Sequence, residues 1–149
     1  MSSPEKLYHS AVRMLAGREH SRRELGDKLK RKFKSVPDRD INNALDALVA
    51  DGLQSDERYL ESLVRSRISR GYGPIYIQQE MRQKGVEGIS LDELEPWLEA
   101  NWLEIAQDIV ERRFSEAETD GAIWMKATRY LQRRGFTTDV CIRALPERP

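Results

Sequence analysis

The feature of this sequence that most constrains its fold is a helical pattern that repeats about every fifty residues. Leu29, Met81 and Leu131 each open a short segment of basic and amide side chains, and they are separated by 52 and 50 residues. A period of this length is typical of helical arrays, in which each unit buries its apolar face against its neighbours. The sequence therefore predicts an all-α fold, an elongated array of three tandem three-helix repeats. The predicted repeats are residues 1–54, 55–100 and 101–149.

Capping residues and helix terminators set the helices of the first repeat. The first helix is expected to end at Gly17, in the left-handed conformation that glycine tolerates. Ser21 and Glu24 have the spacing of a capping box and predict the start of the second helix. Pro37 suits the first turn of the third helix, which is expected to end near Gly52.

The second repeat shows the same kind of signals. Asp56 is the expected N-cap of its first helix, and Pro74 fits the first turn of its second helix. Ser90 and Glu93 form another capping-box pattern, which predicts the third helix. The apolar spacing continues through the third repeat to a short closing helix predicted over residues 137–145.

Composition excludes several classes of protein. Charged residues make up 34% of the chain, yet 25 basic residues balance 25 acidic ones, so this is not a uniformly basic nucleic-acid protein. No apolar run approaches the roughly 20 residues that a membrane span needs. The first residues lack the apolar stretch of a secretory signal, and Cys141 is the only cysteine. We therefore expect a cytoplasmic chain without a membrane segment or a disulfide.

The balanced total hides alternating bands of charge. Basic residues outnumber acidic ones by eight to three over 18–34, by five to one over 65–85 and by six to two over 122–149. The most acidic stretch, 86–121, has eleven acidic residues against two basic ones. Equivalent helices of stacked repeats lie side by side, so the three basic bands predict one extended cationic stripe for a long anionic partner. The competing interpretation is that these charges only solvate an elongated surface.

Few residues have a pattern that indicates catalysis or a bound metal. His9 and His20 have no cysteine or carboxylate at a convincing metal-ligand spacing. Cys141 lies in an apolar stripe, which favours a buried small side chain over a nucleophile. The glycine cluster before Pro74 lacks the lysine of a phosphate-binding loop, so a helix stop followed by a helix start is the favoured interpretation. We expect no enzymatic activity, no cofactor and no metal.

Two tyrosines beside that glycine cluster suggest a contact surface. Tyr72 and Tyr76 flank the turn among several arginines of the second basic band. Aromatic rings interleaved with guanidinium groups can stack on nucleic-acid bases or on a loop of a partner protein. The neighbouring arginines are Arg65, Arg67, Arg70 and Arg82.

Several short segments resemble the RecX family of bacterial recombination regulators. The segments that carry the resemblance are Ser55–Tyr59, Arg65–Arg67, Arg70–Pro74 and Gln79–Val86, with support from Ser21–Leu25 and Lys28-Leu29 in the first repeat. The resemblance implies a non-enzymatic modulator that binds the RecA recombinase filament on DNA. It further implies suppression of ATP hydrolysis, coprotease activity and strand exchange. One departure is Phe33, which stands where the later repeats have Gly85 and Gly135.

The basic bands and this resemblance together give the expected contact residues. The residues expected to bind the filament or DNA are Arg31, Lys32, Arg65, Arg67, Arg70, Tyr72, Tyr76, Arg82, Lys84, Arg133 and Arg134. We expect a monomer whose partner is the RecA filament, with single- or double-stranded DNA as a further partner. Two alternatives stay open: a helical module that binds DNA without recombinase, and a purely structural adaptor.

Overall fold

A computed structural model of the chain, which describes residues 3–149, confirms the all-α fold. Over this range the secondary structure is helical and contains no strand. The helices are α1 (Ser3–Gly17), α2 (Arg22–Lys32), α3 (Asp38–Ala50), α4 (Asp56–Ser69), α5 (Pro74–Lys84), α6 (Glu95–Glu99), α7 (Trp102–Arg113), α8 (Gly121–Arg133) and α9 (Thr138–Ala144), with 3₁₀ turns at Leu91–Glu93 and Ser115–Glu118. Among these described helices none is long and apolar enough to cross a membrane.

The helices pack into two compact units. The first unit contains the chain up to Ser62 together with Lys84–Ser90. The second unit contains Leu63–Gln83 and Leu91–Pro149. Helix α4 therefore contributes residues to both units. The predicted repeat boundaries at residues 54 and 100 stay predictions.

The core of the first unit is formed by the apolar faces of α1, α2 and α3. Leu7, Leu25, Leu29 and Leu48 have no exposed surface. Phe33 packs against this cluster from the end of α2. Burying four leucine side chains contributes on the order of 2 kcal/mol each to folding. The residues that were predicted from helical spacing therefore hold the first three helices together.

The last three helices of the second unit, α7, α8 and α9, also pack their apolar faces into one core. Ala106, Ala127 and Leu131 have no exposed surface, and Cys141 packs with them at 2% exposure. Burial raises the pKa of the Cys141 thiol, which keeps it protonated. This agrees with the expectation that Cys141 is a buried small side chain.

Three helix boundaries differ from the predictions. Helix α1 ends at Gly17, but this glycine does not have the left-handed φ that was expected of a terminating residue. Pro37 lies one position earlier than predicted, as the extended N-cap of α3. Asp56 does not cap α4; the Ser55 hydroxyl accepts from the Arg58 amide at 3.2 Å. The Asp56 carboxylate instead accepts from the Arg22 amide, 2.8 Å away at the start of α2, because that amide has no partner within its own helix.

The third helix of the second repeat also begins later than the Ser90 and Glu93 pattern predicts. Residues Leu91–Glu93 form only a 3₁₀ turn, and the chain becomes α-helical again at Glu95. The reason is Pro96. A helix begun at Ser90 would place Pro96 in its interior, where the ring clashes with the carbonyl four residues earlier. Starting α6 at Glu95 moves Pro96 into the first turn, where proline is tolerated.

Candidate partner-binding surface

The residues expected to contact a partner are divided between the two units. Arg31, Lys32 and Lys84 belong to the first unit. Those in the second unit are Arg65, Arg67, Arg70, Tyr72, Tyr76, Arg82, Arg133 and Arg134. Each unit is described separately below. A single cationic stripe along all three repeats stays a prediction.

The turn between α4 and α5 is fixed by contact with another glycine turn. Gly73 donates its amide to the Arg134 carbonyl at 2.7 Å, and Ile75 donates to the Gly135 carbonyl at 2.9 Å. A Cβ on Gly73 would lie 2.6 Å from the Gly135 backbone, closer than real Cβ contacts occur. Only glycine permits this approach of two main chains. The turn therefore has a structural role. It also ends α4 through the left-handed Gly71 and starts α5 at Pro74, as predicted.

This contact assembles a column of rings and guanidinium groups in the second unit. The rings of Tyr72 and Tyr76 stack with centroids 4.1 Å apart. The Arg134 guanidinium lies over Tyr72 at 4.3 Å and over Tyr130 at 5.1 Å. Arg113 lies over Tyr130 at 4.5 Å and donates to its hydroxyl at 2.6 Å. Stacking and cation–π attraction hold these five side chains in one order.

Their order determines which aromatic surface a partner could reach. Tyr72 has the Tyr76 ring over one face and the Arg134 guanidinium over the other. A nucleic-acid base cannot stack on Tyr72 unless one of these neighbours moves. The half-buried ring of Tyr76 has only one face covered by this column. The arrangement thus presents positive charge on a rigid support more readily than it presents open rings.

Arg67 differs from the other predicted arginines because it has a strong internal partner. Its Nε donates to Glu80 Oε1 at 2.6 Å and its Nη2 donates to Glu80 Oε2 at 2.7 Å. The two side chains are only 20% and 12% exposed. Bidentate pairs of this kind are the strong, directional ones. Arg67 therefore links α4 to α5, and any partner that takes up its guanidinium must displace Glu80.

The remaining cations of this unit lie at the surface. Arg70 follows the end of α4, Arg82 lies on α5, and Arg133 is the last residue of α8. All three are exposed, and Arg65 on α4 is exposed as well. Guanidinium groups make short, bidentate hydrogen bonds to carboxylates and phosphates. These side chains are thus suited to a polyanionic or acidic surface.

In the first unit the predicted cations differ in their exposure and in their contacts within the protein. Arg31 is exposed near the end of α2. The Lys32 ammonium donates to the Ser10 hydroxyl at 2.9 Å, which links α2 to α1. Lys84 is half-buried at the end of α5. Arg31 is thus the predicted residue of this unit that is best placed for an external contact.

The buried histidine of the first unit has a structural environment. His20 Nδ1 donates to the Arg18 carbonyl at 3.0 Å, so its Nε2 accepts from the Lys28 ammonium at 2.9 Å. Burial lowers the pKa of His20, and the two nearby cations lower it further. The imidazole of His20 is therefore neutral in the folded protein near neutral pH. Among residues 3–149 no group of three His, Cys, Asp or Glu side chains could hold a metal ion.

Two members of the column were missed by sequence reasoning. Tyr130 lies on α8, four residues before Arg134, which caps that helix in a helical conformation. This spacing places both side chains on one face and could have indicated Tyr130. Arg113 had no usable signal, since it lies 17 residues from Tyr130 and in the most acidic stretch of the chain. Only the packing of α7 against the rest of this unit brings its guanidinium to the ring.

Comparisons with known proteins agree with the three-repeat architecture. The first three-helix domain of RecX matches residues 8–48, the second matches 55–88 and the third matches 99–145. The matches follow one another in the order of the predicted repeats. They support three tandem three-helix domains although the chain packs into two compact units.

Relatives and solved structures give the same result. Proteins named Regulatory protein RecX are 40% identical over 139 residues in Halorhodospira halophila and 37% identical over 149 residues in Pseudomonas putida strain KT2440. These alignments cover 93% and 99% of this chain and 85% and 94% of the relatives. The crystal structure of RecX from Lactobacillus salivarius has a TM-score of 0.76 at 23% identity, covering 95% of this chain and 93% of that one. At that identity the structural match shows the fold.

Proposed function

The chain belongs to the RecX family, and we propose that it inhibits the RecA recombinase by binding the filament that this recombinase forms on DNA. Its relatives are named regulatory proteins, which gives this chain a regulatory role. The proposed effects are suppression of ATP hydrolysis, coprotease activity and strand exchange. In this proposal the protein is not an enzyme, acts as a monomer in the cytoplasm and uses no cofactor.

The observation that supports this proposal best is the set of exposed arginines in the second unit, together with Arg134 in the column. Arg70, Arg82 and Arg133 are exposed, whereas Arg134 is held between two rings. A charged side chain on a fixed support loses less conformational entropy when it binds. The set thus suits an extended partner that offers carboxylates or phosphates at several points.

Inhibition follows if the bound state favours one arrangement of the filament. The proposed mechanism takes as its premise that ATP hydrolysis in a filament involves movement of neighbouring subunits relative to each other. A ligand that binds one arrangement more tightly shifts the population toward it by its difference in affinity. An inhibitor that contacts more than one subunit would therefore slow hydrolysis at several active sites.

The test is reversal of the exposed arginines. We expect Arg70→Glu/Arg82→Glu/Arg133→Glu to raise the concentration needed for half-inhibition of DNA-dependent ATP hydrolysis by about tenfold or more, because attraction becomes repulsion at three contacts. The measurement is ATPase activity of the recombinase on single-stranded DNA over a titration of each protein. Circular dichroism checks that the variant keeps its helices.

A matched variant controls for the change of net charge. Lys6→Glu/Arg13→Glu/Arg39→Glu also reverses three exposed cations, but these lie on α1 and α3, outside the predicted contact set. It should inhibit like the unchanged protein. Equal inhibition by the two triple variants would reject the arginine set. No inhibition by the unchanged protein would reject the proposed function.

Direct DNA binding without recombinase is the second candidate, since the same arginines and the outer face of Tyr76 suit phosphates and bases. The acidic stretch 86–121 and the covered faces of Tyr72 favour a protein partner. Gel-shift titration across salt concentrations separates the two. If the protein binds DNA directly, the slope of log affinity against log salt should change by about 0.7 to 0.9 for each phosphate that it neutralises.

A further inference from the structure

A groove made of two adjoining clefts lies in the second unit between the end of α4 and α7. The clefts have volumes of about 400 Å³ and about 530 Å³. Both are lined by Ile68, Ile105 and Asp108, so they meet at these residues. Each cleft has the size of a site for a small ligand or for a few residues of a peptide. We call this feature the α4–α7 groove.

The floor of the α4–α7 groove is aliphatic. Ile68 from α4 and Ile105 and Ile109 from α7 are half-buried there. Gly71 lies beside Ile109, and a Cβ on Gly71 would come within 3.3 Å of the Ile109 Cδ1 atom. A glycine at this point leaves the floor open. The groove therefore offers apolar surface for an aliphatic side chain of a partner.

The cleft of about 400 Å³ is cationic. Arg70, Arg112 and Arg113 line it. Arg112 pairs with Asp108 on the same helix, and Arg113 donates to the hydroxyl of Tyr130. Arg70 and Arg113 therefore keep charges that no carboxylate of this lining neutralises. An acidic side chain is the complementary group for this cleft.

The cleft of about 530 Å³ is anionic. Its lining includes the exposed carboxylates Glu99, Glu104 and Glu111, together with Asp108, which also lines the cationic cleft. A phosphate backbone that crossed both clefts would be repelled here, because like charges disfavour association. A basic side chain is the complementary group. The charge of the lining thus changes sign from one cleft to the other, across the isoleucines that both clefts share.

We propose that the α4–α7 groove binds a surface segment of the RecA recombinase that presents an acidic, an aliphatic and a basic side chain in this spatial order. The proposal rests on the proposed function for the identity of the partner. The reversal of charge is the observation that selects a protein segment over nucleic acid. It also fixes the direction in which the segment lies, since the opposite direction would bring like charges together.

Charge reversal in the anionic cleft tests the proposal without changing the exposed arginines. Glu104→Lys/Glu111→Lys should weaken binding to the recombinase filament about fivefold or more and reduce inhibition of ATP hydrolysis in parallel. The matched control is Glu116→Lys/Glu118→Lys, which reverses two exposed carboxylates outside the groove. The milder pair Glu104→Gln/Glu111→Gln should show a smaller loss and tests the groove if the lysine variant fails to fold.

The outcomes separate this inference from the proposed function. If the unchanged protein inhibits the recombinase and the groove variant inhibits as well as its control, the groove assignment is overturned while the proposed function stands. Tighter binding by the groove variant would also overturn it, since the partner would then be acidic throughout. Failure of the unchanged protein to inhibit rejects both.

Cross-linking provides an independent test of the occupant. Gln107 is exposed and lines the groove, and Cys141 is only 2% exposed, so a benzophenone maleimide should label Gln107→Cys selectively. Irradiation on the filament should join it to a recombinase segment that contains the three kinds of side chain. The control position is Thr119→Cys, which is exposed outside the groove. Cross-linking to DNA, to a segment without these side chains, or no more than at the control would contradict the proposal.

Discussion

The second helices of the first and third repeats carry similar basic segments near their C-terminal ends but terminate differently. Helix α2 ends at Lys32 and is followed by Phe33 with φ −119°. Helix α8 ends at Arg133 and reaches Gly135, whose φ of 90° lies in the left-handed region. Phe33 packs on the first core, whereas Gly135 receives the backbone of the α4–α5 turn.

This difference shows that the residue after a repeated helix is chosen by what packs there. A side chain at Gly135 would overlap the backbone of Tyr76 and lie 2.6 Å from its Cβ. At the end of α2 the Phe33 side chain packs on the first core instead. Gly85 is an intermediate case, since its φ is 67° but its close neighbour is the side chain of Arg23. A larger residue would therefore clash with main chain at Gly135 and with a side chain at Gly85, whereas the end of α2 already holds a large side chain.

The largest effect is expected at Gly135. Gly135→Ala should lower the free energy of unfolding of the second unit by about 3 kcal/mol or more, because left-handed strain adds to a clash with main chain that cannot move aside. Urea unfolding, with hydrogen exchange to localise the change to α8, is the measurement. Gly17→Ala is the control, as a Cβ there meets nothing within 4 Å. Equal stability of the two variants would contradict the close backbone contact.

Gly85 should be less sensitive than Gly135. We expect Gly85→Ala to cost about 1 to 2 kcal/mol, mainly from left-handed strain, because the exposed Arg23 side chain can rotate away. The same urea titration measures it. If Arg23→Ala fails to relieve any of the cost in the double variant, the Arg23 contact contributes nothing. A cost as large as that of Gly135→Ala would remove the distinction between the two ends.

The column beside Gly135 should make a smaller contribution. Arg134→Gln removes the guanidinium from Tyr72 and Tyr130, and the expected loss is about 1 to 2 kcal/mol of second-unit stability. The neighbouring Arg133→Gln is the control, since Arg133 is exposed and lies outside the column. Thermal unfolding of the two variants gives the comparison. Equal losses would show that the rings do not hold Arg134.

The smallest effect is a pH dependence of the first unit. The folded-state pKa of His20 is lowered below the ordinary 6.5 because the ring is buried. The unfolded chain therefore takes up a proton first as pH falls, and stability should decrease below about pH 6.5 until the lowered folded-state pKa is passed. The measurement is urea unfolding between about pH 7.5 and about pH 5.5. His20→Gln should lose this part of the dependence; an unchanged dependence would assign it to other groups.

Much of the fold could be read from local signals in the sequence. Helix periodicity, the Ser21 cap and the terminating glycines act over a few residues, so they predicted the helices of all three repeats. The sequence also predicted that Cys141 is buried. It misplaced the start of the third helix of the second repeat, because an α-helix begun after Ser90 would hold Pro96 in its interior.

The candidate site was predicted only in part. Tyr72, Tyr76 and Arg134 were expected contact residues, and the structure brings them together. The sequence could not show that Glu80 holds Arg67, or that Arg113 reaches Tyr130 from another helix. It also gave no sign of the α4–α7 groove.

By itself the sequence determined the helices, their threefold repetition and the family, since each depends on spacing along the chain. Only the tertiary structure decided which charges are neutralised inside the protein and which face outward. The physical reason is distance. Hydrogen bonds, ion pairs and ring contacts act over a few ångströms, and residues remote in sequence come that close only when the helices pack.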